Sequence, residues 1–162
     1  MNYSQISDEI FIGTTPSRRD FDVLRDLGVR LVINMRFWQG QPPQLERPEL
    51  RYMRVRTFDS PLMPIPIQSL RRGALAALEV ISQGGKVYTH CARGRHRGVA
   101  MAAAIMIAQG LSPERAIALI KERRAEADPE AFHIRSRIVE FGRQWALAAT
   151  ERASANEQTP VW

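Results

Sequence analysis

The fold of this chain is decided by residues 86–98, which read KVYTHCARGRHRG. The first five residues, which directly follow the helix-ending Gly84 and Gly85, predict a short strand. A turn containing Gly94 follows, and an unbroken apolar run from Val99 to Ala108 predicts a helix that begins near Arg97 and is buried on nearly all sides. A strand, a tight turn and a helix N-terminus in direct succession predict an anion-binding loop.

Strand and helix patterns alternate before this stretch. Apolar runs predict strands over residues 10–12 and 31–35, and a crude alternation predicts another over 51–55. Helical spacing predicts helices over 16–28 and 67–81. We therefore predict an α/β fold with a small, mainly parallel twisted sheet flanked by helices.

The patterns after this stretch are helical. Ser112-Pro113-Glu114 has the features of an N-cap and first helical turn, and the apolar residues from Ile134 to Trp145 fall on one helix face. The C-terminal half is therefore expected to be helical. One domain should occupy residues 1–150, with a flexible tail over 151–162 and a surface loop over Trp38–Pro48.

The composition is that of an ordinary globular protein. The chain has 162 residues, of which 44% are hydrophobic and 25% charged, which excludes collagen-like, disordered and disulfide-scaffold proteins. No apolar run approaches the length of a membrane span, and the opening MNYSQISDEI has no signal-peptide pattern, so we expect a cytoplasmic protein. Cys91 is the single cysteine and cannot form an intramolecular disulfide.

The net charge of +6 comes mainly from arginine, since Lys86 and Lys121 are the only lysines. Arginine favours bidentate contacts with phosphate or carboxylate, although the base composition of the genome explains such a bias equally well. The arginines are scattered without interleaved aromatic residues, so nucleic-acid binding is the weakest interpretation.

The residues around Cys91 predict phosphoryl-transfer chemistry. A helix N-terminus and nearby arginines favour a thiolate, although a lone cysteine is also commonly a buried hydrophobe. Arg97, six residues after Cys91, can bind two phosphate oxygens with its guanidinium. The backbone amides of the loop can point at the same oxygens; the loop residues are Ala92, Arg93, Gly94, Arg95 and His96. A thiolate beneath a bound phosphoryl group predicts in-line attack and a phosphocysteine intermediate.

The stretch resembles the His-Cys-x5-Arg-Ser/Thr loop of the cysteine-dependent protein tyrosine phosphatase superfamily, especially its small dual-specificity branch. His90, Cys91, Gly94 and Arg97 match this pattern. RGRHRG is also similar to the Arg-Gly-Lys-His-Arg-Thr-Gly loop of the plant and fungal atypical dual-specificity phosphatases, which act on inositol pyrophosphates, and INMR at 33–36 resembles their Ile-Asn-Leu-Arg segment. The resemblance covers residue 10 to about residue 124. It implies a dual-specificity phosphatase fold and a phosphatase that needs no metal or cofactor.

The resemblance also implies roles for individual residues. Asp59 lies on a proline-rich loop 32 residues before Cys91 and is expected to be the proton donor, with capping of the turn at Ser60-Pro61 as the alternative. His90 is expected to orient the loop. No metal constellation is expected around His90, His96 or His133.

The basic residues suggest what the substrate carries. Arg93, Arg95 and His96 flank the expected phosphate position, and Arg36 is a possible substrate contact at the same sheet edge. We therefore expect a phosphorylated protein or a small-molecule polyphosphate of the inositol phosphate or pyrophosphate type. Phosphoinositide headgroups and triphosphate-ended RNA also fit a basic loop.

The sequence departs from the superfamily pattern at Gly98, where a serine or threonine is usual. The resemblance implies that this hydroxyl helps the phosphocysteine to break down, so a slow second step is expected. Two alternatives follow: a pseudophosphatase that binds phosphorylated ligands, and a rhodanese-like sulfurtransferase, whose loop also holds an anion above a cysteine.

Overall fold

The structure is a computed structural model that describes residues 1–38 and 49–157, with side chains up to residue 151. Its single sheet has the strand order β1-β2-β5-β3-β4, and every pairing is parallel except that of β1 with β2. This confirms the predicted mainly parallel sheet. The strands are β1 (Tyr3–Gln5), β2 (Ile10–Gly13), β3 (Val29–Arg36), β4 (Arg51–Thr57) and β5 (Lys86–His90).

Helices cover both faces of the sheet. On one face lies a small cluster around α1 that includes Phe21 and Leu24, and on the other lies the main core, to which α2, α3, α4 and α5 contribute. Residues 98–107 of α3 are all buried, as their apolar composition predicted. The helices are α1 (Asp20–Asp26), α2 (Ile67–Ser82), α3 (Arg97–Ala108), α4 (Pro113–Arg123) and α5 (Phe132–Glu157).

Two local expectations differ from the structure. The strand β1 was not predicted, because its three residues are too few to show alternation. The first helix begins at Asp20 instead of near Pro16, since the Asp20 carboxylate accepts hydrogen bonds from the backbone amide and hydroxyl of Ser17 and closes a turn there.

The expected tail begins as helix. α5 continues to Glu157, because the alanine, arginine and glutamate residues of this segment favour helix without needing a buried face. The remainder of that tail, and residues 39–48 of the predicted surface loop, lie outside the described residues. Within residues 1–38 and 49–157, no helix is both long and apolar enough to cross a bilayer.

Candidate active site

The predicted nucleophile follows the central strand of the sheet. The last residue of β5, His90, pairs with Gly13 of β2 on one side and with Asn34 of β3 on the other. Cys91 comes next, is 2% exposed, and its carbonyl accepts a hydrogen bond from Thr15 Oγ1 at 3.0 Å. The parallel strands therefore fix Cys91 at the carboxyl edge of the sheet, where open α/β sheets bind their ligands.

The loop after Cys91 turns back through one glycine. Gly94 has a φ of 62°, in the left-handed region that favours glycine. A Cβ at this position would lie 2.5 Å from the carbonyl oxygen of Gly13, which leaves no room for a side chain. The loop therefore needs glycine at the position that the sequence pattern singled out.

Arg124 stabilises this loop through hydrogen bonds to its carbonyl groups. The sequence did not predict this contact. Arg124 is 2% exposed, and its Nε donates to the carbonyl of Gly94 at 2.9 Å and its Nη2 to the carbonyl of Arg93 at 3.4 Å. Its Nη1 donates to Ser4 Oγ of β1 at 3.2 Å. In the sequence Arg124 lies in the charged run KERRAE, which is typical of a solvated helix end and gives no sign of burial.

The environment of the Cys91 thiol favours its ionised form. Burial by itself would raise the pKa of Cys91, but hydrogen bonds from the backbone amides of Gly98, His96 and Arg95, together with the charge of Arg97, outweigh burial and lower it. Three converging amides at the start of a helix form an anion-binding cradle. The same cradle that stabilises the thiolate can bind the oxygens of a phosphoryl group.

Arg97 is fixed by the ends of two strands. Its Nη1 donates to the carbonyl of Met35 at 3.2 Å and to that of Thr57 at 2.9 Å. Its Nε is buried without a hydrogen-bond partner among the described residues, and lies 3.7 Å from Asp59 Oδ2. The guanidinium is thus oriented in advance, with an N–H left to donate to a ligand oxygen.

Asp59 lies on the loop after β4, and its carboxylate lies beside Arg97 and lines a hollow over Cys91. His96 Nδ1 lies 3.1 Å and His133 Nε2 3.0 Å from its Oδ1. Burial raises the pKa of Asp59, but the hydrogen bond with His133, the charge of His96 and the charge of Arg97 lower it overall. Asp59 therefore contacts the loop itself instead of only capping its own turn.

Two of the three histidines belong to a group of side chains that could hold a metal ion, which was not expected from the sequence. Asp59, His96 and His133 offer three ligand atoms that all lie within 4.8 Å of one another. Sequence reasoning missed this group because 37 residues separate His96 from each of the other two, and the fold alone brings them together. His90 lies elsewhere, inside the sheet edge.

His90 is fully buried. Its Nδ1 lies 3.3 Å from the Cys91 carbonyl, and the rings of Tyr88 and Tyr52 lie 5.9 Å and 6.5 Å from its own. Burial lowers the pKa of His90 to about 4. The contact with the Cys91 carbonyl raises this pKa, but by less than burial lowers it. His90 is therefore neutral at pH 7, in contact with the backbone whose orientation we expect it to fix.

Two hollows meet at the basic part of the loop. The smaller, of about 270 Å³, lies over Cys91 and is lined by Asp59, Ala92, Arg93, Arg95 and His96. A larger one, of about 550 Å³, shares Ala92, Arg93 and Arg95 and continues towards Arg124 and Asp128. Most of the loop residues singled out from the sequence therefore line the space above the nucleophile, and two arginines separate it from the larger hollow.

Arg36 lies beside the site, but one nitrogen of its guanidinium already donates a hydrogen bond within the protein. Its Nη1 lies 3.1 Å from Thr15 Oγ1, the same hydroxyl that donates to the Cys91 carbonyl. Arg36 also lines a third hollow with the stacked rings of Phe37 and Phe58. Its expected substrate contact remains a prediction.

Gly98 is packed closely. A Cβ there would lie 3.1 Å from both the Cα and the carbonyl carbon of His90. The Gly98 carbonyl accepts a hydrogen bond from Thr89 Oγ1 at 2.8 Å. The missing hydroxyl of the superfamily pattern therefore coincides with a close approach between the helix start and the strand end.

A buried cysteine whose pKa is lowered by three backbone amides, with an oriented arginine at the same strand–loop–helix junction, is the arrangement that a cysteine-dependent phosphatase needs. No family model matches the chain. It is 30% identical over 162 residues to the rat (Rattus norvegicus) "Phosphatidylglycerophosphatase and protein-tyrosine phosphatase 1", covering 95% of this chain and 81% of that protein. It is 28% identical over 118 residues to human "Dual specificity protein phosphatase 26", covering 71% of this chain and 56% of that protein.

Solved structures agree with these relatives. The crystal structure of PTPMT1 superimposes with a TM-score of 0.79 at 25% identity, and the match covers 93% of this chain and 99% of the other. That of human DUSP28 superimposes with a TM-score of 0.78 at 23% identity, and the match covers 89% of this chain and 95% of the other. The chain belongs to the dual-specificity branch of the cysteine-dependent protein tyrosine phosphatase superfamily. The expected family, fold and enzyme class are thereby confirmed, and a rhodanese-like sulfurtransferase finds no support.

Proposed function

We propose that this chain hydrolyses phosphate monoesters without a metal ion, through a phosphocysteine intermediate. The observation that carries the proposal is the buried Cys91 thiol, whose pKa is lowered by the amides of Gly98, His96 and Arg95 beside the fixed guanidinium of Arg97. A group built to stabilise negative charge on sulfur is equally suited to stabilise the oxygens of a phosphoryl group.

The reaction has two displacements at phosphorus. Cys91 Sγ forms a bond to phosphorus as the ester P–O bond breaks, and Asp59 gives its proton to the departing oxygen. Water then attacks the same phosphorus, with Asp59 accepting a proton, and the S–P bond breaks to release inorganic phosphate and the thiolate. The amides of the loop and Arg97 stabilise the equatorial oxygens in both steps.

Asp59 must be protonated for the first step, whereas its neighbours in the free protein favour the carboxylate. A bound phosphate ester brings negative charge next to Asp59. Like charges disfavour ionisation, so substrate binding itself favours the protonated carboxyl that the departing oxygen needs.

For the substrate we propose a phosphoprotein or an inositol phosphate or pyrophosphate. Arg93 and Arg95 support this choice, because both are exposed and both line the hollow over Cys91 as well as the larger one beside it. A second phosphate group can therefore contact these guanidinium groups while the first lies over the thiolate. The name of the rat relative adds a lipid phosphomonoester, phosphatidylglycerophosphate, to the compounds worth testing.

The test is phosphate release by the purified protein in the presence of EDTA. The panel holds an aryl phosphate, phosphotyrosine and phosphoserine peptides, inositol polyphosphates and pyrophosphates, triphosphate-ended RNA and phosphatidylglycerophosphate. We expect release that Cys91→Ser abolishes, with trapping of a phosphorylated protein in a rapid acid quench of the wild type. Release that persists in Cys91→Ser would refute the mechanism, and tight binding of phosphate esters without any release would identify a pseudophosphatase.

The role of Asp59 is tested separately by the choice of leaving group. Asp59→Asn should slow hydrolysis of an alkyl phosphate far more than that of an aryl phosphate, because a phenolate leaves without help from an acid. Asp128→Asn is the matched control, since Asp128 also lies near His96 but does not line the hollow over Cys91. Equal losses for alkyl and aryl substrates in Asp59→Asn would contradict the proton-donor role.

The cytoplasmic location expected from the sequence remains a prediction, which cell fractionation can test.

A further inference from the structure

Three side chains of types that can bind a metal ion come from three separate segments and meet beside the hollow over Cys91, which Asp59 and His96 line. Asp59 comes from the loop after β4, His96 from the loop after β5 and His133 from the first turn of α5. His96 Nδ1 and His133 Nε2 lie 3.1 Å and 3.0 Å from Asp59 Oδ1, and the three ligand atoms lie within 4.8 Å of one another. Both imidazoles thus present one ring nitrogen to the same carboxylate oxygen.

His96 has an acidic group on the other side of its ring. Its Nε2 is buried without a hydrogen-bond partner among the described residues, and the nearest carboxylate oxygen, Asp128 Oδ2, is 3.9 Å away. Asp128 is itself held in place, because its Oδ1 accepts from the backbone amide of Ala131 at 3.0 Å and its Oδ2 from Arg95 at 3.4 Å. A carboxylate behind a histidine is the usual outer partner of a metal-binding imidazole, whose ring it orients.

The set of ligands indicates the kind of metal. Two imidazoles and one carboxylate suit zinc, whereas magnesium prefers oxygen ligands and retains most of its water. Tetrahedral zinc with bonds of about 2.1 Å places its ligand atoms about 3.4 Å apart, so the distances to Asp59 Oδ1 need to open only slightly. The charge of Arg97, 3.7 Å from Asp59, opposes any cation, and the strong nitrogen ligands must outweigh it.

We propose that Asp59, His96 and His133 bind one Zn²⁺ ion, and that this ion inhibits the enzyme. The position of the ion gives the reason for inhibition. A metal bonded to the Asp59 carboxylate takes the place of the proton that the departing oxygen requires, and it holds Asp59 and His96 together at the rim of the hollow over Cys91. The binding site stands on the geometry alone; the inhibition rests on the proposed function.

Binding is measured by titrating Zn²⁺ into metal-free Cys91→Ser protein in a calorimeter, which removes the thiolate as a competing zinc ligand. We expect one ion per chain, with His133→Gln weakening the affinity by at least about tenfold, since even outer partners of a metal site are worth about 10- to 100-fold. Asp128→Asn should weaken it within that range. Arg135→Gln, an exposed position on the same helix, is the control and should bind like the parent.

Two results would overturn the site: no saturable binding at one ion per chain, or unchanged affinity in both His133→Gln and Asp128→Asn. Circular dichroism of each variant shows whether a lost affinity reflects a lost fold. None of these readouts requires phosphatase activity, so failure of the proposed function leaves the test of the site intact.

The inhibition is tested on the chain with Cys91 present, with the aryl phosphate as substrate. Zn²⁺ should inhibit reversibly, EDTA should restore the rate, and the concentration for half inhibition should rise in His133→Gln by the same factor as the dissociation constant. If His133→Gln loses zinc affinity in the Cys91→Ser background yet is inhibited at the wild-type concentration, the inhibition acts through the thiolate and the second part of the proposal is wrong.

Discussion

Mild acid should destabilise this protein through one buried histidine. His90 is fully buried, and its Nε2 has no hydrogen-bond partner among the described residues, so a proton on this nitrogen would find no acceptor. Burial lowers its pKa to about 4 in the folded protein. In the unfolded chain the pKa of a histidine is about 6.5.

The sign and size of the effect follow from these two pKa values. Between pH 6.5 and pH 4 the unfolded chain binds more protons at His90 than the folded protein, so the free energy of unfolding falls as the pH falls. Linkage over this window gives a loss of about 2 kcal/mol between pH 7 and pH 5 from this single group.

The assay is urea unfolding of the wild type and of His90→Gln at pH 7 and pH 5, in metal-free buffer. The variant cannot take up the proton, so the difference in its free energy of unfolding between the two pH values should be about 2 kcal/mol smaller than that of the wild type. An identical pH dependence in the wild type and His90→Gln would refute the reasoning.

Three further predictions concern the loop. Because hydrogen bonds from backbone amides outweigh burial and lower the pKa of Cys91, its alkylation by iodoacetamide in EDTA should remain fast at a pH where a free thiol is protonated. An alkylation rate that falls with pH in parallel with that of glutathione would contradict the lowered pKa. Arg124→Met removes two charged hydrogen bonds to loop carbonyls and should lower the free energy of unfolding, measured by urea unfolding, by about 3 kcal/mol. A loss below about 1 kcal/mol would show that the stability of the loop does not depend on these hydrogen bonds. Any side chain at Gly98 comes close to the backbone of His90, so Gly98→Ala is the control for this steric effect, and the effect of the hydroxyl is measured by comparing turnover in Gly98→Ser with turnover in Gly98→Ala. The serine variant should be faster than both the alanine variant and the wild type. Equal rates in the two variants would show that the hydroxyl has no role.

The parts of the site that could be predicted are those that are contiguous in sequence. Cys91, Gly94 and Arg97 lie between the end of a strand and the first residue of a helix, so the local succession of strand, glycine turn and helix predicts an anion site. Asp59 required the family resemblance, because nothing in its own segment points towards the loop 32 residues later.

The remaining parts depend on packing between distant segments. His133 lies on a helix whose apolar face accounts for its periodicity, and no local signal marks its contact with Asp59. Arg124 looks like a solvated charge until the fold buries it beneath the loop. Long-range polar contacts of this kind leave no periodic trace, since each partner is compatible with a surface position.

The three hydrogen bonds of Arg124 tie the short edge strand β1 to the phosphate loop. One guanidinium donates to Ser4 on one side and to the carbonyls of Arg93 and Gly94 on the other. A movement of the loop on binding a ligand must therefore be transmitted to β1, or break a bond on the way. A fluorophore attached at the exposed Tyr3 should consequently report loop occupancy from outside the active site, which offers a binding assay for non-hydrolysable ligands that needs no turnover.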